Sequence, residues 1–324
     1  MYAVERLIDA PIIDASTDRS IGHNIQGPSL IRVPDWVANP LGRYYLYFAD
    51  HKGSFIRLAY ADALCGPWTV HRPGTLHLPE SCFPSEDLEV DDETYETFRS
   101  AVETQLGDQV PNELREDLVV AHIASPDVHV DDERREIAMY FHGLETVGHQ
   151  VTRRATSVDG LHFVAQPDVL GPSYFRCFRH DGWWYCLAMP GRFLRSRDGR
   201  TAFESGPTLF CPSMRHSAVR LIGDVLEVFW TRVGDAPERI LRSTVELGRD
   251  WHTWSASESV EVLRPERPWE GVHEPLTPSR RGAITMAANQ LRDPCVFEED
   301  GRVFLLYAVA GESGIGIAEL TAGV

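Results

Sequence analysis

The chain has 324 residues, of which 43% are hydrophobic and 24% charged, so it has enough apolar material for a large core and is not a disordered polymer. Its 48 Asp and Glu outweigh 31 Lys and Arg, a formal charge of −17 that opposes contacts with nucleic-acid phosphates and anionic membranes. Ten Tyr, eight Trp and fourteen Phe favour strands over helices.

The N-terminal MYAVERLIDAPIID has neither a basic stretch nor a following apolar run, and no segment reaches the roughly 18 apolar residues of a membrane span. A cytoplasmic protein is expected. Cys65, Cys82, Cys177, Cys186, Cys211 and Cys295 show no CxxC spacing, which argues against zinc and leads us to expect no disulfide.

Short, similar strings then recur along the chain: GPSLIRV from Gly27, SPDVHV from Ser125, GPSYFR from Gly171, HSAVRL from His216 and DPCVF from Asp293. Five openings predict five blades of one all-β propeller spanning 1–324. Pro126 and Pro172 lie 46 residues apart, and Pro172 and Ser217 lie 45 apart, the length of four short strands with tight turns. A second strand follows each opening: RYYLYFAD, EIAMYFHG, WWYCLAM, VLEVFWTR and VFLLYAV. Turns such as Asp181–Gly182 and Asp300–Gly301 suit hairpins that need positive φ.

Two longer intervals carry insertions. The acidic segment 79–117 places Tyr95, Phe98, Val102 and Leu106 at helical spacing, which predicts a short helix in a long loop. The Pro-rich run 264–290 predicts an irregular loop over one rim. The last unit has room for only three strands before Val324, so residues from Ala3 to Ile13 are expected to supply the fourth and close the ring.

In a propeller blade the start of the first strand and the end of the second meet at the same channel mouth. This gathers Asn24, Gln26, Asp50, His51 and Lys52 from blade 1, and His122, Asp127 and His142 from blade 2. Blade 3 adds Tyr174 and Arg176, blade 4 adds Arg215, His216 and Arg232, and blade 5 adds Arg292 and Asp293. Asp50, Asp127, Asp293 and the loop residue Glu274 form the pool of candidate acids and bases, with Trp269 as a stacking platform for a sugar face. Asp127 follows Ser125 by two residues, so strand alternation predicts that both face the channel.

The strings TSVDGLHF (Thr156 to Phe163), SRDGRTAF (Ser196 to Phe203) and AYADALCGPWTV (Ala59 to Val70), together with RDPCVF, resemble hairpin motifs of the five-bladed glycoside hydrolases of family 43 and of families 32, 68, 117 and 130. The resemblance implies a carbohydrate-active enzyme, most simply a glycoside hydrolase acting on an oligosaccharide at the channel mouth. Family 43 resembles an inverting system with Asp in blades 1 and 2 and Glu in blade 3; here those positions read Gly27, Ser125 and Leu170-Gly171-Pro172. RHSAV from Arg215 resembles the family's Gly-His-Asn-Ser-Val string, which puts His216 at the channel centre and implies a calcium ion or ordered water beside it. Elimination on an acidic sugar, with Lys52, Arg176, Arg215 and Arg232 facing its carboxylate, and a non-catalytic carbohydrate-binding propeller are the alternatives.

Overall fold

The computed structural model describes residues 2–107, 110, 111 and 113–323, with the side chains of 105 and 106 left out. Five antiparallel sheets stand around a central channel. Blade 1 comprises Gln26–Arg32, Tyr44–Ala49, Phe55–Ala61 and Thr69–His77, and blade 2 comprises Ile123–Asp131, Glu136–Thr146, His149–Ser157 and Val164–Ala165. Blade 3 comprises Arg176–His180, Trp183–Ala188, Arg192–Ser196 and Glu204–Thr208, and blade 4 comprises Met214–Ile222, Val225–Arg232, Ile240–Glu246 and Val260–Leu263. Blade 5 takes Arg292–Glu299, Arg302–Val309 and Gly314–Ala322 from the C-terminal end and its fourth strand, Tyr2–Arg6, from the N-terminal end. That strand pairs antiparallel from Tyr2 opposite Ala322 to Arg6 opposite Ala318, so the ring closes as the missing strand requires.

The second strands read as continuous apolar runs because both faces are covered by neighbouring blades; Tyr44 to Ala49 are all buried. The hairpin motifs have a structural role of their own. In blade 2 the Ser157 hydroxyl accepts the Gly160 amide at 2.9 Å, and the Gly160 carbonyl accepts the Tyr47 hydroxyl of blade 1 at 2.9 Å. Blade 3 repeats the device: the Gly199 carbonyl accepts Tyr140 of blade 2 at 2.6 Å. These motifs latch adjacent blades together.

Two expectations are corrected. Cys177 and Cys186 form a disulfide, because the Asp181–Gly182 hairpin sets them directly opposite one another on adjacent strands. Blade 3 also opens five residues later than its Gly-Pro string suggests, at Arg176. Gly171–Pro172 pairs with the third strand of blade 2, and the first blade-3 strand follows Tyr174. The acidic insertion holds two helices, α1 (Asp92–Leu106) and α2 (Leu114–Val119); Tyr95, Phe98 and Val102 are half-buried, and the Leu106 side chain lies outside the described residues. Among the described residues no helix is long and apolar enough to cross a membrane.

Candidate functional site

Each first strand enters the channel through the same distortion. Gly27, Ser125, Tyr174, His216 and Asp293 have φ of 63°, 50°, 66°, 42° and 44°, and the ladders of blades 1, 2, 4 and 5 skip register at these points. Left-handed backbone is strained for the four that are not glycine, and such strain gathers where a side chain must be aimed. Gly27 is the exception with a reason: a Cβ there would stand 3.1 Å from Ser125 Cα, which leaves little room for any side chain.

The bulges bring together an arc of rings. His142 stacks on Tyr174 at 4.5 Å between centroids, Tyr174 leans on His216 at 5.4 Å, and His122 meets His142 edge-on at 5.9 Å. With His51, Lys52, Asp117, Gln150, Arg215 and Arg281 they line a cavity of about 160 Å³ at the mouth. His122 donates from Nδ1 to the Val120 carbonyl at 2.7 Å, and burial pulls its pKa down to about 4, leaving Nε2 as an acceptor. Burial also lowers His142 and His216, so both rings are neutral.

Asp293 sits at the centre with Oδ2 3.7 Å from His216 Nδ1. Both carboxylate oxygens are buried without a hydrogen-bond partner, and desolvation, reinforced by the negative field of Glu312, pushes its pKa up to about 7. The surrounding charges form one buried chain. Arg215 binds Glu238 (Nε to Oε1, 3.0 Å), Arg292 reaches Glu238 at 3.5 Å and Glu312 at 2.7 Å, and Glu312 faces His51 Nδ1 at 3.3 Å. Burial opposes the charge on His51, but Glu312 outweighs it and raises the imidazole; burial likewise opposes the charge on Glu312, while His51 and Arg292 hold it well below the usual carboxylate range.

The remaining candidates lie elsewhere. Asp127 does not face the mouth, because the Ser125 bulge breaks the strand alternation. It lines a second cavity of about 150 Å³ with Arg176 and Cys295, accepting the Cys177 amide at 2.8 Å and holding His129 Nε2 at 2.7 Å. Asp127→Asn is therefore expected to cost about 1.5–3 kcal/mol of stability, measured by denaturant unfolding. Arg176 stitches the inner strands together through the carbonyls of Ser217 at 2.8 Å and Ser125 at 3.3 Å.

Asp50 binds Arg57 at 3.2 Å, outside the cavity wall. Arg232 lies over Trp230, and Trp269 packs on blade 5 with its indole donating to Asp9 at 3.2 Å. Glu274 lines neither cavity. Gln26 is fully buried with both amide atoms unpartnered.

Two charged cavity residues were not legible as such in the sequence. Asp117 arrives on α2, whose buried Leu114 and Leu118 set the inward face three residues before it and one after. Arg281 arrives on the Pro-rich loop. A calcium ion takes six to eight oxygen ligands, whereas the orphaned oxygens at the centre are those of Gln26, Ser125 and Asp293. Among the described residues no three His, Cys, Asp or Glu side chains are grouped to hold a metal, so the donors do not fit calcium and suit water or substrate hydroxyls.

No family model matches the sequence. The uncharacterized protein R118 of Acanthamoeba polyphaga mimivirus is 36% identical over 323 residues, covering 92% of this chain and 83% of the viral protein. The chain belongs to the family of that viral protein. Among solved structures, a family 43 β-xylosidase/α-arabinofuranosidase from a compost metagenome, in complex with xylotriose and in a calcium-free form, covers 99% of this chain and 96% of its own, at TM-score 0.58 and 9% identity. A family 43 enzyme of Xanthomonas citri covers 98% and 91% at TM-score 0.58 and 11% identity. A structure from the family 130 mannoside phosphorylases and hydrolases covers 98% and 94%, also at TM-score 0.58 and 11% identity. At these identities the likeness establishes the five-bladed fold this viral-protein family shares with them.

Proposed function

We propose that the protein is a carbohydrate-active enzyme, a glycoside hydrolase that cleaves an oligosaccharide in the cavity at the propeller mouth. The observation that carries the reading is the set of strained blade openings, which place Tyr174 and His216 in the cavity wall and bury Asp293 behind it, with Oδ2 3.7 Å from His216 Nδ1. Structures of the same fold that are complexed with xylotriose and xylose support a saccharide as occupant.

The chemistry needs a proton donor and a base. Asp293, with its pKa near 7, is about half protonated at neutral pH and serves as the acid from its buried place behind His216 of the cavity wall. Asp117, the one carboxylate lining the cavity among the described residues, is oriented by Lys52 Nζ at 2.9 Å and serves as the base. The glycosidic C–O bond breaks as its oxygen takes the Asp293 proton; water adds to the anomeric carbon and loses a proton to Asp117. Neutral His122, with a free Nε2, accepts a sugar hydroxyl.

A panel of nitrophenyl glycosides is expected to reveal at least one substrate, with kcat reduced about 10²-fold or more in Asp117→Asn. A panel without turnover, or full activity in that variant, removes this reading.

A further inference from the structure

The Pro-rich loop is fixed over the mouth from both sides. Ser279 exchanges backbone hydrogen bonds with Gly234 and Asp235 at 3.1 Å, the Arg280 carbonyl accepts Arg215 at 2.9 Å, and the Ile284 carbonyl accepts Asn24 at 3.2 Å. This fastening carries the Arg281 side chain into the cavity wall.

The cations around the cavity differ in their partners. Lys52 has Asp117 and Glu116, Arg215 has Glu238, and His51 has Glu312. Among the described residues Arg281 has no carboxylate within ion-pair distance. It donates from one guanidinium nitrogen to the Pro212 carbonyl, while its Nε is buried without a partner. Burial and the repulsion of Arg215 push its guanidinium downward, an unfavourable setting that an anion would relieve. His142 adds a second unsatisfied group: it is 3% exposed, lines the same cavity, and its Nδ1 has no partner.

A half-buried guanidinium with an unpartnered Nε, next to a second guanidinium and beside an unpartnered imidazole, is a recognition site for an oxyanion. We propose that the cavity takes an anionic saccharide, one bearing a carboxylate or phosphate that Arg281 binds. The inference rests on the carbohydrate reading of the same cavity. It restricts that reading to acidic sugars.

Calorimetric titration of the full chain with glucuronate, glucose 6-phosphate and glucose tests it and separates the two anion chemistries. At least one anionic sugar is expected to bind about tenfold or more tightly than glucose, and Arg281→Gln is expected to abolish that margin while Arg281→Lys keeps part of it. Should Arg281→Gln fail to fold, the wild-type margin must still shrink as KCl is raised.

Equal affinity for glucose, no binding of either anionic sugar, or a margin untouched in Arg281→Gln overturns the proposal. Cleavage of neutral nitrophenyl glycosides combined with no anion preference would sink this inference and leave the hydrolase reading standing. An Arg281-dependent preference without any glycoside turnover would do the reverse.

Discussion

A chain lacking residues 1–14 is expected to lose more than about 10 °C of melting temperature, or to lose cooperative unfolding altogether. The deletion removes the outer strand of blade 5 and exposes the edge of Gly314–Ala322. It also removes two fully or nearly fully buried side chains, Ile12 and Ile13, each worth about 1.5–3 kcal/mol of apolar burial. The electrostatic loss is of similar size. Arg6 binds Glu270 at 2.7 Å, a carboxylate with no exposure, and stranding such a charge costs about 3–5 kcal/mol.

Tyr2 ties the same strand to blade 4 by donating to Glu227 at 2.7 Å. Together these terms approach the whole stability of an ordinary domain, about 5–15 kcal/mol. Thermal unfolding followed by circular dichroism checks the outcome, with Arg6→Ala as a smaller lesion on the same scale. A truncated chain that melts with the wild type would show that the closing strand contributes nothing.

Ring closure was legible because it follows from counting: five openings and three final strands leave one strand to find. The second strands and the Asp181–Gly182 and Asp300–Gly301 turns were legible for a related reason, since apolar runs and positive φ leave a mark at fixed spacing. Side-chain direction at the blade openings left no such mark. Ser125 and Asp127 obey alternation in sequence, but the left-handed residue at 125 rotates the strand and sends Asp127 to the far cavity. The Gly-Pro string at 171 misled the blade-3 register because an edge pairing with blade 2, not a blade opening, uses it. The disulfide was in principle readable, as Cys177 and Cys186 are equidistant from the Asp181–Gly182 turn. Asp117 and Arg281 come from insertions without a repeat to align, so their meeting at one cavity is a property of the folded ring alone.

Asp293→Asn is expected to separate function from stability most sharply. Wild-type Asp293 has no hydrogen-bond partner and 1% exposure, so ionising it places a charge in a desolvated centre. Its folded pKa of about 7 lies above the ordinary 3.8. A raised pKa means the fold favours the protonated form: the associated stability is complete below about pH 4 and is lost as the pH climbs through 7. At about 1.4 kcal/mol per unit, the loss amounts to roughly 4 kcal/mol by pH 8.

Asparagine keeps the shape and cannot ionise, so the variant is expected to melt about 5 °C or more above the wild type at pH 8 and to converge with it near pH 4. Turnover moves the opposite way. Without a proton to give, kcat is expected to fall about 10²–10⁴-fold, and the alkaline limb expected of the wild type near pH 7 is expected to be absent from the residual activity. Such a gain in stability with loss of function is what a buried, unpaired catalytic carboxyl produces. Melting curves and pH–rate profiles of the two proteins decide the matter. A variant that is less stable at pH 8, or that turns over at the wild-type rate, would make Asp293 a structural partner of His216 and leave the chamber without its acid.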